Sequence, residues 1–81
     1  MKVILYSKID CCLCENAKAI LQELQTELQF EIEEIDIYGD DRLLEKYQLM
    51  IPVVEVNGEE VEYGIIHKEV IRKRLLQQAG S

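Results

Sequence analysis

The stretch KVILYSKIDCCLCENAKAILQEL, residues 2–24, carries the pattern that decides the fold. Residues 2–6 are a short apolar run rich in strand formers, bounded by residues 7–10, and they predict a strand buried on both faces. From the cysteines onward the period changes. Ala17, Ile20, Leu21, Leu24 and Leu28 recur at i, i+3, i+4, i+7 and i+11, with Glu15, Lys18, Gln22, Glu23, Gln25 and Glu27 on the other side. That spacing predicts an amphipathic helix of about four turns, starting near Cys12.

The three cysteines of the chain, Cys11, Cys12 and Cys14, fall within four positions at the mouth of this helix. Stepping back from the apolar stripe, Cys14 lies on the core face, Cys11 at the helix mouth, and Cys12 is turned away. An i, i+3 pair in a first helical turn is about 5 to 6 Å apart, inside the roughly 4.4 to 6.8 Å Cα window of an unstrained disulfide. Cys11 with Cys12 needs a strained vicinal ring, and Cys12 and Cys14 point apart. Geometry therefore selects Cys11 and Cys14 as the pair that can close and reopen. Unbonded N–H groups at the helix start and the charge of Lys8 favour negative charge on the Cys11 sulfur, with Asp10 acting against it. A buried Cys14 suits the role of resolving thiol. The plainer reading is three small apolar residues packed under a helix.

The chain has 81 residues, enough for one small domain spanning 1–81. Its 48% hydrophobic and 31% charged residues, with four Gly and one Pro, are the balance of a compact fold. A net charge of -7 excludes the electrostatic footprint of a nucleic-acid binder and disfavours anionic membranes. No apolar run reaches the roughly 18 residues of a spanning helix, and MKVILYSKID lacks the features of a signal peptide. A cytoplasmic location is expected. In that reducing compartment clustered thiols point to redox chemistry or metal binding rather than structural disulfides.

In FEIEEIDI the apolar residues Phe30 and Ile32 are out of phase with Ile35 and Ile37, which predicts a strand over 32–37 with a bulge or late start. Its acidic residues, 31–36, read as a solvated edge. GDDRLLEKYQL offers Asp40 as a helix cap and Leu43, Leu44 and Tyr47 as one apolar side of a two-turn helix. IPVVEVNGEEVEY holds two strand-like runs joined by Asn57-Gly58, the signature of a type I′ hairpin. HKEVIRKRLLQQ predicts a last helix with Val70, Ile71 and Leu75 inward and Gly80 as its stop. The element order is β-α-β-α-β-β-α, without repeats or linkers.

The strand, YSK with two further residues before Cys-x-x-Cys, the single Pro ahead of a hairpin, and this element order resemble a small glutaredoxin-like member of the thioredoxin superfamily. The resemblance covers nearly the whole chain. It implies an α/β, thioredoxin-like (glutaredoxin-like) β-α-β-α-β-β-α three-layer fold with a four-stranded mixed sheet in the order 2-1-3-4. It also implies that Cys11 is the attacking thiol, that Cys14 resolves, and that Pro52 is a cis-proline facing them. Cis bonds are cheap only before proline. Ile51 would then turn its backbone toward the substrate. Lys8, Ile51, Pro52 and Gly64 are thus the expected substrate-binding residues.

The sequence departs from the glutaredoxin pattern where glutathione is held. Met50 replaces the Thr before the proline dipeptide, and YGIIHKE has only Gly64 where that family has Gly-Gly followed by Asp. The expected activity is that of a thiol–disulfide oxidoreductase on a protein or small-molecule disulfide, reset by a thiol reductant. No cofactor is required, glutathione is a poor fit, and the chain acts as a monomer without nucleic acid or membrane. No metal ligand set is assigned. The rival readings are a soft-metal module using the clustered thiols for Cu, Zn or an Fe–S cluster, and an interaction domain with a vestigial redox site. His67, at the start of the last helix, is either a contact for a substrate carboxylate or an ordinary first-turn residue. Tyr6 and Tyr63 are expected to pack, and Ser7 has no base partner for serine chemistry.

Overall fold

A computed structural model describes residues 2–79, as β1 (Lys2–Ser7), α1 (Cys12–Glu27), β2 (Glu31–Asp36), a 3-10 turn (Ile37–Gly39), α2 (Asp41–Tyr47), β3 (Val53–Val56), β4 (Glu59–Tyr63) and α3 (Lys68–Ala79). The strands make one mixed sheet in the order β2-β1-β3-β4. β1 and β2 run parallel, while β1 with β3 and β3 with β4 are antiparallel. Helices cover both faces, so the three-layer architecture expected from the sequence is the one observed.

Alternation along β1 divides its side chains between two cores. Val3 and Leu5 join Ala17, Leu21 and Leu24 of α1, Val54 and Val56 of β3, and Ile71 and Leu75 of α3. Ile4 and Tyr6 face the other way, toward Ile37, Leu43, Leu44, Tyr47 and Val53. This partition also explains the phase break in the second strand, which contains no bulge: its pairing with β1 is continuous from Lys2 with Glu31 to Ser7 with Asp36. Ile32 packs on the α1 side and Ile35 on the α2 side. Two apolar residues three apart are both covered because the sheet is buried on both faces.

Local signals act as expected at the element ends. The Asp40 side chain accepts the Arg42 N–H at 2.8 Å and caps α2. Asn57 and Gly58 take φ values of 50° and 86°, the left-handed pair that a two-residue hairpin turn requires. Two expectations about apolar side chains are corrected. Val70 is 44% exposed while Ile71 and Leu75 are fully buried, so the inward face of α3 is narrower than the sequence suggests. Tyr63 is 59% exposed, whereas Tyr6 is buried and stacks on Tyr47 at 4.7 Å between ring centroids. Gly80 lies outside the described residues.

Candidate active site

β1 delivers the chain to the cysteines through a tight reversal. Asp10 takes φ 59°, a left-handed conformation that short polar side chains tolerate better than most, and turns the backbone into the helix start. Cys11 is the N-cap of α1, with extended φ and ψ, and its sulfur accepts the backbone N–H of Cys14 at 3.3 Å. A sulfur here does what a Ser or Asp oxygen usually does, meeting a donor that has no partner within the helix. That N–H is aimed at the atom where negative charge would arise if the thiol ionised.

All three cysteines are free thiols. Cys14 is 3% exposed on the core face of α1, Cys11 is half-buried and Cys12 is exposed. Burial pushes the Cys14 thiol up from its ordinary 9.0 to about 12. The hydrogen bond with Cys11 and the proximity of that group add to the rise, while the Lys8 backbone and charge act against it. Among the described residues, no three His, Cys, Asp or Glu side chains gather in a way that could hold a metal ion.

The Ile51–Pro52 peptide bond is cis. Ile51, expected to offer its backbone to a substrate, uses its N–H within the protein: it donates to the Tyr47 carbonyl at 3.1 Å, next to a Met50 N–H that does the same at 2.8 Å. Gly64, at φ 77°, donates its N–H to the carbonyls of Pro52 at 2.8 Å and Met50 at 3.1 Å. It fastens β4 to the proline loop. His67 turns to its own chain. Glu62 accepts its backbone N–H at 2.6 Å and meets Nδ1 at 2.8 Å, so this carboxylate holds the residue just before α3.

A cleft of about 350 Å3 opens beside the two cysteines, lined by Ser7, Lys8, Asp10, Cys11, Cys14, Glu15, Lys18, Glu34 and Asp36 among others. Pro52, Ile51 and Gly64 are not part of it. Sheet order explains the separation, since β2 and β3 flank β1 on opposite sides. Glu34 and Asp36 share the face of Ile32, which points to α1, so these two residues of the solvated edge strand also line this cleft. The signal was available in the strand period, but it needed the side of the sheet that α1 covers.

Four strands in the order 2-1-3-4, a Cys-x-x-Cys at the start of the first helix and a cis-proline ahead of the third strand define a thioredoxin-fold protein of the glutaredoxin-like kind. The chain belongs to the glutaredoxin-like domain family, whose pattern matches residues 2–76. Among solved structures it is similar to protein Ne2328 from Nitrosomonas europaea, with 34% identity, 91% of this chain and 89% of that one covered, and a TM-score of 0.80. It is similar also to protein XcR50 from X. campestris, with 27% identity, 90% and 93% coverage and a TM-score of 0.74. Thioredoxin 1 from Thermosipho africanus shares the fold at 18% identity, with full coverage of both chains and a TM-score of 0.64. Among curated proteins, none matches this chain. The fold and family support a redox role.

Proposed function

We propose that the protein is a thiol–disulfide oxidoreductase in which Cys11 attacks a substrate disulfide and Cys14 resolves the product. The observation that carries this reading is the Cys14 N–H donated to the Cys11 sulfur at 3.3 Å, with Cys14 itself buried directly behind. Cys11 as thiolate attacks one sulfur of R–S–S–R, forming a mixed disulfide and releasing one thiol, RS⁻, which takes up a proton. Cys14 then loses its proton and attacks the Cys11 sulfur, closing the Cys11–Cys14 disulfide and releasing the second thiol. Two electrons pass from the dithiol to the substrate, and an external thiol reductant must return them.

The high Cys14 value belongs to the reduced state. Burial is its first cause, but the neighbouring Cys11 group also contributes. Once the Cys11 sulfur is bonded to substrate that contribution is gone, and Cys14 becomes easier to ionise at the step that needs it. Ile9, exposed in the lining of the cysteine cleft, and Leu13, exposed between the two cysteines in the chain, offer apolar surface suited to a peptide or small organic disulfide. Lys8 lies at the same mouth. The Ile51 carbonyl beside Pro52 is the remaining backbone contact for an extended substrate, with Gly64 positioning that loop.

Glutathione is a poor candidate for the reductant. Met50 offers no hydroxyl, no Asp follows Gly64, and His67 is engaged by Glu62. We place the protein in the cytoplasm as a monomer, requiring no cofactor and binding neither nucleic acid nor membrane. No helix among the described residues is long and apolar enough to cross a membrane. The test is turnover of a cystine-containing peptide with a dithiol reductant, the reduced peptide being separated from the reductant and its thiols counted. The reading requires two thiols released per disulfide and no turnover by Cys11→Ser. Metal bound at stoichiometric level by anaerobically purified protein, without turnover, would instead favour the soft-metal reading.

A further inference from the structure

The cleft on the β2 side of the cysteines contains four carboxylates, from Asp10, Glu15, Glu34 and Asp36, against two lysines. One lysine is already engaged: Lys18 Nζ lies 3.6 Å from Glu34 Oε1. Asp10, Glu15 and Asp36 have no ion-pair partner among the described residues, and Lys8 is the one unpaired cation in the lining. Asp36 spends Oδ1 on the Tyr38 N–H at 2.9 Å, which fixes its carboxylate and leaves Oδ2.

A second observation is independent of these charges. Ser7 continues the face of Val3 and Leu5, toward α1, and is 5% exposed. Its hydroxyl has no hydrogen-bond partner among the described residues, yet no fully buried polar side-chain atom there goes unpaired. The Ser7 oxygen therefore opens on the cleft that Ser7 lines. A largely buried hydroxyl with spare lone pairs, lining the same cleft as the carboxylates, adds a neutral acceptor to charged ones.

We propose that this cleft recognises a positively charged group, an ammonium or guanidinium, adjoining the disulfide that Cys11 attacks. The inference rests on the oxidoreductase reading and adds the substrate's chemistry to it. Cys11 and Cys14 line the same cleft, so a cation within a few bonds of the attacked sulfur enters it while the rest of the substrate passes toward Pro52 on the far side of β1. Glu15 and Asp36 supply charge-assisted acceptors and Ser7 a neutral one. An anionic substrate group meets a local excess of carboxylate inside a chain of net charge -7.

The test compares three aliphatic disulfides, cystamine (cationic), 2-hydroxyethyl disulfide (neutral) and 3,3′-dithiodipropionate (anionic), together with cystine peptides flanked by Arg, Gln or Glu. Each kcat/KM is divided by the same disulfide's rate with free dithiothreitol, which removes differences in leaving-group acidity. The wild type is expected to favour the cation over the neutral disulfide about tenfold after this correction, the magnitude of one charge-assisted contact. Glu15→Gln and Asp36→Asn should each cut that ratio about threefold or more, and Ser7→Ala should lower it less. Glu31→Gln, the same charge change at the opposite end of β2, should leave it intact. Because the ratio is internal to each variant, partial loss of folding does not imitate the effect. Preference in the small disulfides alone assigns the site to a small aminothiol, and preference in the peptides as well assigns it to a basic peptide; either supports the proposal. Turnover with equal corrected rates, or a preference that Glu31→Gln reduces as much as Asp36→Asn does, overturns it while leaving the oxidoreductase reading in place. Absence of turnover with every disulfide overturns both.

Discussion

The backbone N–H of Cys14 points at the sulfur of Cys11, 3.3 Å away, so the two ends of the Cys-x-x-Cys are joined by a helix cap before any disulfide forms. One consequence is that the pair shares a single rigid turn. The residues between them carry no part of that contact. Cys12 is exposed and faces away from the core. Cys12→Ser should therefore retain disulfide turnover and change stability by less than about 0.5 kcal/mol, as surface substitutions usually do. Steady-state assays and urea unfolding of the variant check both.

Gly64 fastens the proline loop through its N–H while holding φ 77°, and a Cβ there would meet no atom within 4 Å. The cost of Gly64→Ala is thus backbone strain alone, about 1 kcal/mol. Gly64→Asn should cost less, since Asn tolerates the left-handed region. Urea midpoints should rank wild type, Asn, then Ala. Turnover that falls with stability unchanged would instead make Gly64 a substrate contact.

On the face of the sheet that α2 covers, Tyr6 Oη donates to Glu55 Oε1 at 3.3 Å, and Glu55 is 9% exposed. Tyr6→Phe keeps the ring against Tyr47 but leaves that carboxylate without its donor. A loss of about 1 to 3 kcal/mol is expected. Adding Glu55→Leu should recover much of it, because replacing both partners removes the unpaired group. A double variant no more stable than Tyr6→Phe alone would contradict this.

The buried Cys14 thiol links stability to alkaline pH. Its value rises on folding, from 9.0 to about 12, so the native state holds the proton more tightly than the unfolded chain. The contribution is complete below about pH 9 and is lost as pH climbs toward 12, at up to about 1.4 kcal/mol per pH unit. Tyr6, raised from 10.0 to about 12 chiefly by burial and by Glu55, adds a second loss above pH 10. Between pH 9 and 10, unfolding of Cys14→Ala should therefore show a flatter decline than wild type. Equal slopes would mean that Cys14 ionises as readily folded as unfolded.

Where neighbours in the chain decide a feature, the sequence was readable. Asn57-Gly58 made its hairpin, Asp40 capped its helix, and the stripe from Ala17 to Leu24 faced the core. Features decided by the far side of the fold were not. Ile32 and Ile35 looked like a register fault because each serves a different core, which only the placement of α1 and α2 distinguishes. Glu34 and Asp36 are exposed edge residues as expected, but that they border the cysteine cleft depends on the same placement. Ile51 was expected to turn its backbone outward, yet a carbonyl of α2 takes its N–H, and His67, whose role the sequence left open between a substrate contact and an ordinary first-turn residue, is held by the Glu62 carboxylate. Local competition for a hydrogen bond is invisible until the partners are brought together.

The most direct measurement of the central claim is the site of a trapped mixed disulfide. Reduced Cys14→Ser is mixed with a cystine peptide, quenched with acid, digested, and the linked cysteine identified by mass. The account predicts one peptide per chain, attached at Cys11 and released by dithiothreitol, and no adduct in Cys11→Ser at the same time. An adduct carried by Cys12 in the Cys14→Ser protein, or persisting in Cys11→Ser, would contradict it.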